Sequence, residues 1–352
     1  MTRNRENMAM DKRGSNRRPD DGRKSRRLPG ISRRAFIGNV ALGLGGLLCP
    51  SIGRPEEAGS DAEKKAKVVI VRDPAVLPQH RVAAEVAQKM VHRAVCLVTG
   101  KEDRTLAWKA LFSPKERVAI KVNTRHPPVI ANHDVVSAIV DGLKSAGIEE
   151  NRIIVYDLTD EELVTAGFKL NESSKGVRCH ASRDYRGMMA GSVDARLSKI
   201  LTDEVDAIVN VPAFRHHIRA GVTFALKNHL GSVRNARAFH GDNCSAVADL
   251  NALDPIRKKT RLILVDAIRG QHNGGPMYIP WYTWTYAGLI AGTDAVAVDA
   301  VAAEELTAER QKRGASGPVR PTVKHIPRAA ELGLGIADLK RIAVIRETAG
   351  AE

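Results

Sequence analysis

The stretch from Arg215 to Cys244 holds the densest gathering of side chains able to do chemistry. It contains Arg215, His216, His217, Arg219, Lys227, Asn228, His229, His240, Asp242 and Cys244. Two chemistries fit these types. Imidazole and carboxylate suit zinc, iron or nickel, and His217, His240 and Asp266 are the candidate ligands. Their spacing matches no established metal motif, so neither a metal nor any other cofactor is named by the sequence. Guanidinium and ammonium groups suit an anion instead. Arg215, Lys227 and Arg125, with Asn228 and the Gly274-Gly275 turn, would grip a small phosphate or carboxylate. The bland alternative is that each His and Arg only caps a loop. That is the better reading of any single histidine, whereas crowding on one segment favours a site.

Other positions raise narrower questions. Asp299 lies inside an otherwise apolar helical run from Ala295 to Val301. A buried carboxylate needs a partner, and Lys227 or a neighbouring arginine would supply it. Thr293 or Asp294 reads as the cap of that helix. Between Tyr278 and Tyr286 stand two of the chain's three Trp and three of its five Tyr. This patch would wall a pocket or offer a partner surface.

The elements that must position these residues alternate in type. Short apolar runs at 67–71, 118–123, 152–158, 206–212, 262–266 and 341–345 read as strands. Amphipathic or Ala-rich segments at 79–99, 133–146, 222–230 and 294–305, with a short one ending at 329–332, read as helices. The continuous apolar run Leu262-Ile263-Leu264-Val265 suits a sheet covered on both faces. The expected fold is therefore three-layer α/β, a largely parallel sheet with helices on both faces, over residues 67–352. Residues 160–200 lack a clear period and read as an insertion or cap. Ligands of parallel sheets bind beyond the carboxyl ends of the strands. Asn123, Asp157, the Arg215 segment and Asp266 all follow such ends, so they are expected on one rim. In the 222–230 helix, Thr223 and Lys227 would share a face while Val222, Ala225 and Leu226 turn inward.

The same segments resemble domain-of-unknown-function family 362. The likeness rests on Asp206–Pro212 with Arg215-His216-His217, on Gly221–Gly231 with His240, on Asp266–Gly270 with Gly274-Gly275-Pro276, on Ala291–Asp299, and on Gly333-Leu334-Gly335. It spans roughly residues 67–345. It implies the α/β fold and this set of residues, but no reaction. Arg215 stands where the family more often has Lys. The ferredoxin-like cysteine pairs of some relatives are absent, so the likeness brings no iron–sulfur cluster with it.

The charge belongs largely to the chain's beginning. The 352 residues carry a formal +15. Residues 1–34 hold 12 basic and 4 acidic side chains, a net of +8, which leaves +7 for the rest. With no basic run interleaved with aromatics in the body, nucleic acid is not an expected partner. Residues 1–31 are polar and read as disordered. Ser32-Arg33-Arg34, Phe36 and the short Gly-rich apolar run to Cys49 then read as a twin-arginine export signal. That run is short of the ~20 residues a bilayer span needs. The membrane is expected to be met only through this segment, if uncleaved. Residues 51–66 read as a linker. The expectation is an exported, periplasmic protein that engages the twin-arginine machinery. Its leading reading is a cofactor- or metal-dependent enzyme with His217, Lys227 and Asp266 in the cleft. Lys227 would bind an anion or act as nucleophile, and His217 would be a ligand or general base. The alternative is a non-catalytic periplasmic binding protein for an anion. Cys96, Cys179 and Cys244 are too widely spaced to assign a disulfide.

Overall fold

A computed structural model describes residues 66–315 and 317–349. The disordered region, export signal and linker expected at 1–65 lie outside the described residues. Ala66, expected to end the linker, already begins the first strand.

In chain order the strands are β1 (Ala66–Arg72), β2 (Val118–Val122), β3 (Ile153–Tyr156), β4 (Arg178–Cys179), β5 (Tyr185–Ala190), β6 (Val193–Ser198), β7 (Ala207–Val211), β8 (Ala213–His217), β9 (Gly221–Thr223), β10 (Thr260–Gln271), β11 (Thr283–Gly292) and β12 (Ile342–Thr348). The α-helices are α1 (Ala84–Thr99), α2 (Arg104–Lys109), α3 (His133–Ser145), α4 (Asp160–Thr165), α5 (Ala225–Asn228), α6 (Val247–Asn251), α7 (Asp254–Arg257), α8 (Ala295–Lys312) and α9 (His325–Glu331). One ten-stranded sheet runs β12-β1-β11-β10-β7-β2-β3-β4, with β8 on β10 and β9 on β8. Its pairings are parallel except those of β11 with β1 and β10 and that of β9 with β8. The carboxyl ends of β1, β2, β3, β7 and β10 therefore point to one edge of the sheet.

Period two explains the continuous apolar strands. In β1, Val68 and Ile70 join one buried cluster and Val69 and Val71 the other. In β10, Ile263 and Val265 face one way and Leu262 and Leu264 the other. The first cluster packs under α5, α6, α8 and α9, the second under α1, α2, α3 and α4. The result is the expected three-layer α/β fold.

The structure departs from expectation at three places. The 222–230 helix is a short strand, β9, followed by the single turn α5 and a 3-10 turn. Gly221–Thr223 folds back on β8 as an antiparallel hairpin, and that pairing outweighs the helical pattern. Residues 160–200 form α4, the edge strand β4 and a β5–β6 hairpin with its own two-stranded sheet. The 278–286 aromatics lead straight into β11, the antiparallel strand that splits the parallel sheet in two. Among the described residues, no helix is long and apolar enough to cross a membrane.

A cationic cleft at the carboxyl rim

Strand parity decides which side chains reach the α5 side of the sheet. In β2, Ala119 packs on that side while Val118, Ile120 and Val122 pack on the other, so Lys121 lies beneath α5. Asn210 of β7 shares the parity of Ile208, which is also on the α5 side. Here a cleft of about 620 Å³ opens.

Its floor is a closed polar network. Lys121 is only 1% exposed. Its Nζ donates to Asp157 Oδ1 (2.8 Å), Asn228 Oδ1 (3.2 Å) and the Val122 carbonyl (2.6 Å). Asp157 also accepts from the Thr124 amide (2.9 Å) and hydroxyl (2.7 Å). Asn228 donates to Asn210 (2.8 Å) and accepts from Asn123 (3.2 Å). Asn123 in turn accepts from the Arg215 guanidinium (2.7 Å), which donates as well to the Arg125 and Val129 carbonyls (2.7 and 3.1 Å). Lys121 and Asp157 meet each other's charge, as burial requires, whereas Arg215 is held by neutral oxygens alone and its Nε has no partner among the described residues. Gly231 has to be glycine, because a Cβ there would stand 2.4 Å from Asp157 Oδ1 and 2.6 Å from Lys121 Nζ.

Lys227 is different. It is 7% exposed and lines the cleft. Among the described residues no hydrogen bond or ion pair engages its ammonium. Burial pushes its pKa down to about 8 against an upward pull from Cys244, and Arg215 and Arg125 add to the fall. Its position is set from below: α5 begins at Ala225, and the amides of Ala225 and Leu226 donate to Asp299 of α8 at 2.7 and 3.0 Å. Asp299 is thus partnered by a helix start and not by Lys227 or an arginine. Burial drives its carboxyl up to about 8 against the pull of those two amides.

Three histidines line the cleft, and two of them, His217 and His240, have opposite tautomers, assigned from their partners. His217 Nδ1 accepts from the Arg219 and Ala220 amides (3.0 and 3.2 Å), so its proton sits on Nε2. Burial, reinforced by Lys227, pushes its pKa down to about 2, so the ring is neutral. His240 Nδ1 lies 2.9 Å from the Ala236 carbonyl, which can only accept, so its Nε2 carries the free lone pair. The ring centroids are 5.9 Å apart. His217 is accordingly a donor, not the general base its type suggested.

The cleft's field is positive. Arg125, Arg219 and Arg237 line its mouth, and its two carboxylates, Asp157 and Glu162, are already paired with Lys121 (2.8 Å) and Arg125 (3.4 Å). Such a lining draws anions and repels cations. Among the described residues, no group of three or more His, Cys, Asp or Glu gathers to share a metal ion. With His217 Nδ1 occupied, His240 offers the one open imidazole lone pair of the proposed ligand trio.

Four expected site residues lie outside the cleft: Asp299, which holds the start of α5, with Asp266, Gly274 and Gly275. Asp266 is buried on the α3 side, where it accepts from the Asn132 amide and side chain at 2.8 Å each. It fastens the start of α3 and does not reach the cleft. Gly274 and Gly275 do not line it either. Gly274 takes a left-handed turn, with φ of 69°. Gly275 crosses β8 so closely that a Cβ would lie 1.9 Å from the His216 carbonyl. His216 turns away to bond the Arg320 carbonyl at 2.7 Å. Arg215, His217, Lys227, Asn228, His240 and Arg125 do come together. Sequence reasoning missed Lys121, whose signal was a lone lysine between Ile120 and Val122. The aromatic patch divides: Trp284 and Tyr286 pack on Phe214 at 5.4 and 5.2 Å, while Trp281 stands 75% exposed. Cys96, Cys179 and Cys244 are free and buried.

Fold and site together define an α/β protein built on one large, mostly parallel sheet, with a cationic cleft at its carboxyl rim. The chain belongs to the family described as domain of unknown function 362, whose profile matches residues 118–304. No curated protein matches. Among solved structures, the chain is similar to a structural-genomics crystal structure of a Thermotoga maritima protein. The two are 14% identical with a TM-score of 0.41, over 65% of this chain and 59% of that one. This chain thus spans about three fifths of that protein's length.

Proposed function

We propose that this protein is an enzyme acting on a small anionic molecule, and that Lys227 is the group its ligand meets. The contrast between two lysines of one cleft carries the reading. Lys121 is satisfied by three acceptors, Lys227 by none. Taking an ammonium from water without a partner costs several kcal/mol. A fold keeps such a group where a ligand supplies the missing charge. The pairing of a donor imidazole, His217, with an acceptor imidazole, His240, supports catalysis over simple capture.

Calorimetric titration with inorganic phosphate and with acetate tests this. The wild type is expected to bind one of them, and Lys227→Met to bind it at least roughly tenfold more weakly, the loss of one charge-assisted contact. Equal binding by the variant would overturn the reading. A metal-dependent version has less support, since cations surround the open lone pair of His240.

Export is part of the proposal and rests on Ser32-Arg33-Arg34 with Phe36. Changing Arg33 and Arg34 together to Lys is expected to hold the protein in the cytoplasm. Undiminished periplasmic accumulation on cell fractionation would exclude the twin-arginine route.

A further inference from the structure

The proposed function leaves open what kind of anion the cleft accepts. The three groups around Lys227 narrow it. An amine with no acceptor is a nucleophile as soon as it loses its proton. His217 Nε2–H is a fixed neutral donor, because both amides that hold Nδ1 would have to be released to reverse the tautomer. His240 Nε2 is a free acceptor held in place through Nδ1. Nucleophile, donor and acceptor are the three parts that addition of an amine to a carbonyl group requires. Arg219 and Arg237 line the same cleft from exposed positions, and their guanidinium groups have no hydrogen bond or ion pair among the described residues. They are placed to hold a carboxylate while the amine attacks beside it.

We propose that Lys227 forms an imine with a small carboxylate bearing an aldehyde or ketone, held by Arg219 and Arg237. This rests on the reading of the cleft given above. The Lys227 nitrogen adds to the carbonyl carbon, forming an N–C bond, while His217 Nε2–H hydrogen-bonds the developing oxyanion. His240 Nε2 accepts a proton from the attacking nitrogen and returns it to the oxygen. The C–O bond then breaks and the oxygen leaves as water, carrying both amine protons. No oxidant or reductant is consumed. The amine is poised for this: with a pKa of about 8, roughly one tenth is free base at neutral pH, against about one part in three thousand for an ordinary lysine.

The test is reductive trapping. Full-length protein is incubated at neutral pH with glyoxylate and sodium cyanoborohydride, and labelled sites are mapped by peptide mass spectrometry. Lys227 is expected to gain a carboxymethyl group at least roughly tenfold faster than an exposed lysine such as Lys258, reflecting its larger free-amine fraction. Inorganic phosphate should protect it. Lys227→Arg keeps the charge, so it should still bind phosphate and give no adduct in that peptide. His217→Ala should slow trapping at Lys227. If phosphate binds but Lys227 labels no faster than Lys258, the imine is wrong and the anion cleft stands. If phosphate neither binds nor protects and Lys227 labels no faster, both fall.

Discussion

Lys121 and Lys227 make opposite predictions from the same chemistry. Removing Lys121 strands Asp157 in the interior, where its carboxylate keeps only hydroxyl and amide donors. Lys121→Met is expected to destabilise the fold by about 3 kcal/mol, the usual result of breaking a buried pair. Removing Lys227 strands nothing, and Lys227→Met is expected to stabilise. The pH dependence follows from the direction of the shift. The folded pKa of about 8 is below the ordinary 10.5, so the folded protein binds this proton more weakly than the unfolded chain does. The penalty is complete below about pH 8 and is relieved as pH rises toward about 10.5, by an amount of order 3 kcal/mol. Denaturant unfolding of the wild type and Lys227→Met near pH 7, 9 and 10 checks this. Other titrations cancel in the difference between the two proteins. A gap that fails to narrow with rising pH would remove the buried, unpaired ammonium from the argument.

Elements explain why some of these residues were legible in the sequence and others were not. Buried parallel strands such as Leu262–Val265 announce themselves because both faces are apolar. β8 does not, since Arg215-His216-His217 is polar yet wholly buried. Its burial is provided by partners far along the chain, such as the Arg320 and Arg125 carbonyls. Crowding made His217, Lys227, Asn228 and His240 readable as a group. Lys121 was hidden because its partner Asp157 is 36 positions away. Asp266 was misplaced because rim position was read without parity, and parity sends it to the α3 face with Leu262 and Leu264. Asp299 was rightly read as needing a partner, but the partner is a backbone turn. Capping α5, it ties α8 to the helix that carries Lys227. Asp299→Ala leaves two buried amides without acceptors and is expected to cost about 2–5 kcal/mol, with Asp299→Asn milder because one carbonyl oxygen remains. Trapping at Lys227 should fall in the alanine variant and largely recover in the asparagine one. Full labelling in Asp299→Ala would show that α5 holds its place without this cap.

At the scale of the whole molecule, the proposed enzyme and a hinged periplasmic binding protein predict different motions. A hinged binding protein closes two lobes about a few connecting residues when its ligand arrives. Here the cleft stands on one sheet, and the network of its floor joins the adjacent strands β2 and β7, the loop after β3, β8 and α5. Any rotation between halves would have to shear the Val118↔Ala207 to Val122↔Val211 ladder that runs beneath the site. It would also break the Lys121–Asp157 pair and the asparagine network laid across it. An anion of the kind proposed would therefore meet a site already formed, with adjustment limited to side chains and the loops carrying Arg125, Arg219 and Arg237. Small-angle scattering with and without saturating phosphate is expected to show the radius of gyration changing by less than about 1 Å, as for preorganised sites. Marked compaction on binding would require the sheet to open between strands that share a full parallel ladder, and it would favour the binding-protein reading over the enzyme.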